Sequence, residues 1–148
     1  MAAALVLALG GCSLTDKIIG PPEPSPVDES PQKAREKVEA YLAAMVKKDA
    51  AAGRKQLCPT LVGTFDKTAK GDGGDFNAKI KVTSATVTDV RAEGDAQKVT
   101  AAMAVTSGKT TTPVGVVFRV TNIGTGWCIA GEDPAVVLPS LPSPSPSQ

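Results

Sequence analysis

The sequence contains no histidine among its 148 residues. Because histidine is the commonest general base and the commonest metal ligand, its absence excludes a Ser-His-Asp hydrolase triad and histidine-based metal centres. Aromatic residues make up only 3% of the chain, so a folded core must be built mainly from Val, Ile, Leu, Ala and Met. The formal net charge is +1, which offers no bulk attraction to nucleic acid. We therefore expect no nucleic-acid partner.

Motifs for metal and phosphate binding are also scarce. KGDGGDF, residues 70–76, has the composition of a calcium loop but lacks the spacing and the closing glutamate of an EF-hand, so a solvated turn is the better interpretation. No Gly-rich segment ends in Gly-Lys-Ser/Thr. Glu39 and Asp49 are candidate acids, but a solvated helix face and a helix cap explain them. We predict no catalytic residue, metal or cofactor, although a Ser-Lys dyad remains open.

The apolar run AAALVLALGG, residues 2–11, is too short to span a bilayer, which needs about 20 residues. Its length suits the apolar part of an export signal. The run leads into LGGC, residues 9–12, which resembles the lipobox of bacterial lipoproteins. That resemblance implies cleavage between Gly11 and Cys12 and acyl chains on the Cys12 sulfur, with each buried methylene contributing about 0.8 kcal/mol to membrane anchoring.

One feature departs from the lipobox pattern, because no Lys or Arg precedes the apolar run. A true start upstream of Met1, with a basic segment, is the simplest explanation. The alternative to a signal is a buried apolar helix or strand that happens to end in Gly-Gly-Cys. We expect the lipoprotein signal, and with it a location at the extracytoplasmic face of the cell membrane.

Proline-rich segments flank the central part of the chain. Residues 13–30 contain four prolines and four acidic residues, a composition typical of an extended tether. The C-terminal segment PAVVLPSLPSPSPSQ is rich in Pro and Ser and is a poor core former. The predicted organisation is a signal peptide at 1–11, a lipidated cysteine and tether at 12–30, a globular domain at 31–132 and a disordered tail at 133–148.

Helical periodicity opens the globular domain. Apolar residues recur at helical spacing between positions 34 and 46, and Ser30 followed by Pro31 is a typical N-cap and first-turn pair. We predict a helix over 31–48. Its C-terminal Lys47 and Lys48, with Arg54 and Lys55, either form a patch for anionic headgroups or wall polymers or are simply exposed helix charges.

Two shorter helical segments are expected next. Asp49 is suited to cap a helix that reaches about Leu57 and stops at Pro59. A third helical piece includes residues 61–65, and the glycine-rich residues 71–75 then end the helical part.

The apolar period changes to two after residue 78, which predicts strands. We expect strands over 79–91, 97–106 and 114–121 and a short last strand at 127–129, separated by turns at 93–95, 107–109 and 122–126. The alternation slips near Ser84, which indicates a β-bulge. Helices followed by an antiparallel meander predict an α+β domain, with the N-terminal helix or helices packed on a curved, cone-like sheet of about four strands.

This order of elements resembles the nuclear transport factor two-like, or cystatin-like, domain of small actinobacterial lipoproteins. The residues that carry the resemblance are AREKVEAYLAAMVKKDAAAGRKQLC at 34–58, QKVTAAMAVT at 97–106 and GTGWCI at 124–129. A helix on a meander of another topology is the alternative.

Three cysteines are present, and lipidation of Cys12 leaves Cys58 and Cys128 as a pair. Outside the cytoplasm an oxidised bridge is the default state of such a pair, so we predict a structural Cys58–Cys128 disulfide. A redox centre and two unpaired thiols are the alternatives.

The resemblance also implies a pocket, because domains of this family are cone-shaped and commonly enclose one between the helices and the concave face of the sheet. The candidate lining residues are Tyr41, Met45, Phe65, Val99, Met103, Phe118 and Trp127, although a filled core would need the same seven. We expect a non-enzymatic binding or accessory module whose partners are the membrane, through its anchor, and an envelope protein or apolar ligand. A carrier of a lipid or small molecule and a carboxylate-based enzyme are the alternatives.

Overall fold

The structure, a computed structural model, describes residues 28–134. The expected signal peptide, Cys12 with most of the tether, and nearly all of the tail lie outside the described residues. Within residues 28–134, no helix is both long enough and apolar enough to cross a membrane.

The first helix, α1, spans Ser30–Lys47 and buries one face. Its start differs from the prediction, because Glu29 occupies the N-cap without a side-chain bond. Ser30 is instead the first helical residue, and its backbone N–H donates to Asp28 Oδ1 at 3.0 Å. The buried positions follow the predicted helical spacing: Ala34, Val38, Tyr41, Leu42, Ala44 and Met45.

Two short helices follow. In α2, Ala50–Arg54, the Asp49 side chain accepts from the Ala52 N–H as predicted. This helix ends before Leu57 because the following residues run along the last strand, where the Cys58 N–H donates to Ile129 O at 2.8 Å. Pro59 does not end a helix, contrary to what the sequence indicates. It is the first residue of α3, Pro59–Thr68, where a backbone N–H would have no partner within the helix.

Four antiparallel strands complete the domain: β1 Ile80–Glu93, β2 Ala96–Ser107, β3 Thr110–Asn122 and β4 Trp127–Pro134. Each strand pairs with the next, in the order β1-β2-β3-β4, which confirms the predicted α+β meander. The register shifts between Val82 and Ser84, near the predicted slip, and again between Val87 and Asp89. Because each bulge bends its strand and increases the local twist, the sheet curves around the helical layer.

The last strand is longer than the predicted 127–129. Between Ile129, which pairs with Val120, and Gly131, which pairs with Arg119, Ala130 has no register partner. This bulge lets pairing continue as far as Pro134.

The core lies between α1 and the concave face of the sheet, and α1 contacts all four strands. Val38, Val99, Phe118 and Val120 are completely buried there. The Tyr41 ring meets Phe118 edge-on at a centroid distance of 5.8 Å. Tyr41 also meets Phe76, which in turn meets Phe65 of α3, so four of the five aromatic residues form one connected cluster.

Candidate functional site

An open groove with a volume of about 630 Å³ lies between α3, the loop that follows it and one end of the sheet. All four strands contribute to its wall at that end. The apolar side chains of the wall are Leu57, Leu61, Phe65, Ala69, Ile80, Val82, Met103, Val105, Val114, Val116 and Pro134, with Met45 from α1. Apolar side chains dominate this surface, which is the usual character of a small-molecule site.

The groove exists because α3 does not pack tightly on the sheet. None of the ten residues of α3 is fully buried, although Phe65 is half-buried and meets Phe76 edge-on at 5.5 Å. The inner positions of the strands below it still carry Val, Ile and Met, as the alternating pattern requires. An apolar sheet face therefore remains partly uncovered beneath α3.

Tyr41 and Asp75 meet at the edge of the groove. The Tyr41 hydroxyl donates to Asp75 Oδ2 at 2.5 Å, and Tyr41 itself is only 2% exposed. The loop reaches this position by a tight turn in which the Phe76 N–H donates to Ala69 O. At Gly74 a Cβ atom would lie 2.2 Å from the Thr68 carbonyl oxygen, so only glycine fits the turn that presents Asp75.

Glu132 reaches the same place from β4. It lies opposite Phe118 in the β3–β4 register, and facing residues of an antiparallel pair point to one side of the sheet. Without the bulge at Ala130, simple alternation from Ile129 would turn Gly131 inward and Glu132 outward. The bulge therefore places a carboxyl group on the concave, apolar face.

The pKa values of Glu132 and Tyr41 are both raised at this site. Loss of hydration, reinforced by the neighbouring Asp75 and then by Asp133, raises the pKa of Glu132 to about 8. Glu132 is exposed as a whole residue, so solvent reduces the size of this pKa increase. The pKa is still raised, because the Asp75 carboxyl group lies within hydrogen-bonding reach of Glu132. Burial and the Asp75 carboxylate raise the pKa of Tyr41 above its ordinary value. Glu132 therefore keeps its proton to a higher pH than an ordinary glutamate does.

The predicted pocket residues separate into three groups. Tyr41, Met45, Phe65 and Met103 line the groove. Val99 and Phe118 are 0% exposed and belong to the solid core, because they lie beneath the middle of α1 rather than at the open end of the sheet. Trp127 begins β4 at the opposite end of the sheet and borders a separate depression with Ile123 and Cys128.

The other residues considered from the sequence have local partners. Cys58 and Cys128 form a disulfide with a Cα–Cα distance of 4.9 Å, which joins the start of α3 to β4. Glu39 lies 3.6 Å from Arg35. Asp72, in the glycine-rich loop, lies 3.7 Å from Lys79. Across the described part of the chain, no group of three or more Cys, Asp and Glu side chains is arranged to hold a metal ion.

Two of the four basic residues considered as a surface patch have partners. Arg54 makes two hydrogen bonds to the Asp66 carboxylate, at 2.7 and 2.9 Å. Lys48 Nζ donates to the Asn77 carbonyl oxygen at 2.9 Å. These contacts indicate that Arg54 and Lys48 stabilise the helices and the following loop, rather than bind lipid.

Sequence reasoning missed Asp75 and Glu132 as site residues. The composition of residues 70–76 favours a solvated turn and does not single out Asp75, whose partner Tyr41 is 34 positions away. The inward direction of Glu132 depends on the bulge at Ala130. Gly131 is a residue type that favours a bulge, but it lies beyond the predicted end of the last strand at residue 129. An acidic residue just after an apolar strand is the other hint that the sequence contains.

Comparison with known proteins identifies the architecture. A solved structure described as Ntf2-like, the potential transfer protein TraM from the Gram-positive conjugative plasmid pIP501, superposes with a TM-score of 0.51 at 11% identity, over 74% of this chain and 97% of that chain. A five-substitution variant of Rd1NTF2_05 gives a TM-score of 0.44 at 14% identity, over 69% and 96% of the two chains. No protein-family model matches the sequence, and no curated protein does. The chain has the nuclear transport factor two-like fold: helices followed by a curved, four-stranded antiparallel sheet.

Proposed function

We propose that the protein is a lipid-anchored binding module at the extracytoplasmic face of the cell membrane, and that its groove holds an apolar or amphipathic small molecule. The single observation that carries the binding role is the groove itself. Its volume of about 630 Å³ falls within the range of small-molecule sites, roughly 300–1,000 Å³. Apolar side chains from every strand line it, and polar side chains gather at one edge.

The proposed location depends on features at the N-terminal side of the domain. LGGC at 9–12 resembles a lipobox, and the proline-rich residues that follow suit a tether. The Cys58–Cys128 disulfide supports an oxidising compartment, because such bridges are rare in the cytosol. An anchored domain with an open groove is well placed to bind a molecule that partitions into or near the membrane.

A catalytic role for the carboxyl groups has weaker support. A general acid or base in a cone-shaped pocket would be a buried carboxyl group with a free face toward its substrate. Here Asp75 is engaged by Tyr41, and Glu132 is exposed and adjacent to Asp75. We therefore assign these residues to recognition.

Native mass spectrometry of the full chain extracted from its own membranes tests the proposal. We expect a fraction of the folded protein to carry an additional small apolar molecule that is lost on unfolding. We also expect mature protein that begins at Cys12 with attached acyl chains, and a Cys12→Ser variant without them. Protein that carries no extra mass in mild detergent and retains residues 1–11 would contradict both halves of the proposal.

A further inference from the structure

We propose that the groove selects amphiphiles with a cationic head, with the apolar body against the inner faces of the strands and an ammonium group between Asp75 and Glu132. This inference rests on the proposed function, because it assumes that the groove binds an apolar molecule. It adds the chemical class of the ligand.

Charge complementarity at the groove carries the inference. The charged residues among the lining side chains are Asp72, Asp75 and Glu132, and all three are acidic. Asp72 lies 3.7 Å from Lys79 on the exposed rim, so its charge is partly compensated. Asp75 and Glu132 face each other instead. An apolar surface that ends in two adjacent carboxyl groups fits a cation on an apolar body and repels a fatty acid.

The hydrogen-bonding capacity of the pair also matches an ammonium group. Tyr41 donates to Oδ2 of Asp75 and so holds that carboxylate in place. An alkylammonium has three N–H donors, and carboxylates are acceptors once ionised. An ammonium group between Asp75 and Glu132 would form charge-assisted hydrogen bonds to both, which are stronger than neutral ones.

Proton linkage supplies a distinctive signature. The titratable groups around Glu132 are Tyr41 from α1 and Asp75 from the loop, with Asp72 on the rim of the same groove, while Asp133 lies next to it on the opposite face of the sheet. None of them is a cation, so an arriving cation stabilises the Glu132 carboxylate and lowers its raised pKa. Wherever Glu132 is protonated in the free protein, binding of an ammonium group should release a fraction of a proton. Affinity should therefore rise with pH through the pKa of Glu132, while an alkylamine is still charged.

Isothermal titration calorimetry of the full chain with decylamine, decanol and decanoate, each below its micelle concentration, tests the inference. We expect decylamine to bind about five- to tenfold more tightly than decanol near pH 9 and decanoate to bind most weakly. In pairs of buffers of different ionisation enthalpy between about pH 5 and about pH 8, decylamine should release up to about half a proton, with the largest release near the pKa of Glu132. Decanol should release none.

Two single-carboxyl variants provide the matched comparison. Glu132→Gln keeps the shape of the side chain and should remove both the proton release and the preference for decylamine, with decanol binding unchanged. Asp95→Asn changes a carboxyl group in the turn between β1 and β2, outside the groove, and should keep both. If decanol binds as tightly as decylamine, the cationic preference is wrong and the binding role stands. If none of the three binds, both proposals are wrong.

Discussion

Glu132 of β4 lies opposite Phe118 of β3, so a carboxyl group shares the sheet face that completely buries a phenylalanine ring. The bulge at Ala130 produces this arrangement by shifting the alternation of β4 by one residue. Asp75, positioned by the loop after α3 and by the Tyr41 hydroxyl, meets Glu132 there. One irregularity in one strand thus gives an otherwise apolar groove its polar edge.

The acid pair predicts a specific pH dependence of stability. The pKa of Glu132 is about 8 in the folded protein, against an ordinary value of 4.5. Its protonation therefore favours the folded state fully below about pH 4.5, and this contribution declines as the pH rises and is lost above about pH 8. Because Glu132 is exposed, solvent screening reduces the effect to about 1–2 kcal/mol.

Urea unfolding of Glu132→Gln at several pH values checks this dependence. The variant should lose the decline in stability between pH 5 and pH 9 and should exceed the parent protein at the alkaline end by about 1 kcal/mol. Asp95→Asn, in the turn between β1 and β2, is the control and should follow the parent profile. Parallel profiles for Glu132→Gln and the parent would show that Glu132 does not hold its proton in the folded state.

Gly53 lies so close to the Phe76 ring that adding a single methyl group at residue 53 is expected to destabilise the fold. A Cβ atom at Gly53 would lie 2.4 Å from Cζ of Phe76. The ring has little freedom to move, because Phe76 is 5% exposed and contacts the rings of Tyr41 and Phe65. Gly53→Ala should therefore lower the free energy of unfolding by about 1–3 kcal/mol.

Gly63, on the exposed side of α3, offers a matched control. No atom lies within 4 Å of a Cβ built there, so Gly63→Ala should raise the free energy of unfolding by up to about 1 kcal/mol through helix propensity. Denaturant unfolding of the two variants gives both values. Equal effects of the same sign would contradict the assigned packing of Gly53 on Phe76.

The Cys58–Cys128 bridge predicts a large dependence of stability on redox state. It joins residues 70 positions apart, and closing a loop of that length restricts the unfolded chain by an amount worth about 4 kcal/mol in the chain-entropy estimate. The double variant Cys58→Ser, Cys128→Ser should lose stability of this order, as should the parent protein in dithiothreitol. Cys12→Ser should leave the unfolding curve unchanged. A parent protein that unfolds identically with and without reductant would contradict the structural role.

Most of the fold could be predicted from the sequence because its patterns are local. The apolar period changes from helical to alternating across the glycine-rich residues 71–75, which separates the helical layer from the meander. Asp49 caps α2 through a bond within its own turn. The β1 slip near Ser84 is visible as a break in alternation.

The site could not be predicted in the same way, because it depends on contacts between distant elements. The direction of Glu132 is set by a bulge at Ala130, in a part of β4 that lies beyond the predicted strand end at residue 129. Which apolar residues line the groove and which fill the core depends on how closely each helix approaches the sheet. Phe118 is completely buried in the core, whereas Met103, 7% exposed, belongs to the core and also borders the groove.

The most direct test of the account is to locate where an apolar ligand binds. In a methyl-resolved NMR titration of the full chain with decanol, we predict shift changes at groove methyl groups, such as those of Leu61, Met103 and Val105. Val46 and Ile123, which are 42% and 46% exposed outside the groove, should not respond. Saturable changes confined to Leu61, Met103, Val105 and their groove neighbours would support the account, whereas changes at Val46 or Ile123 alone, or none at all, would contradict it.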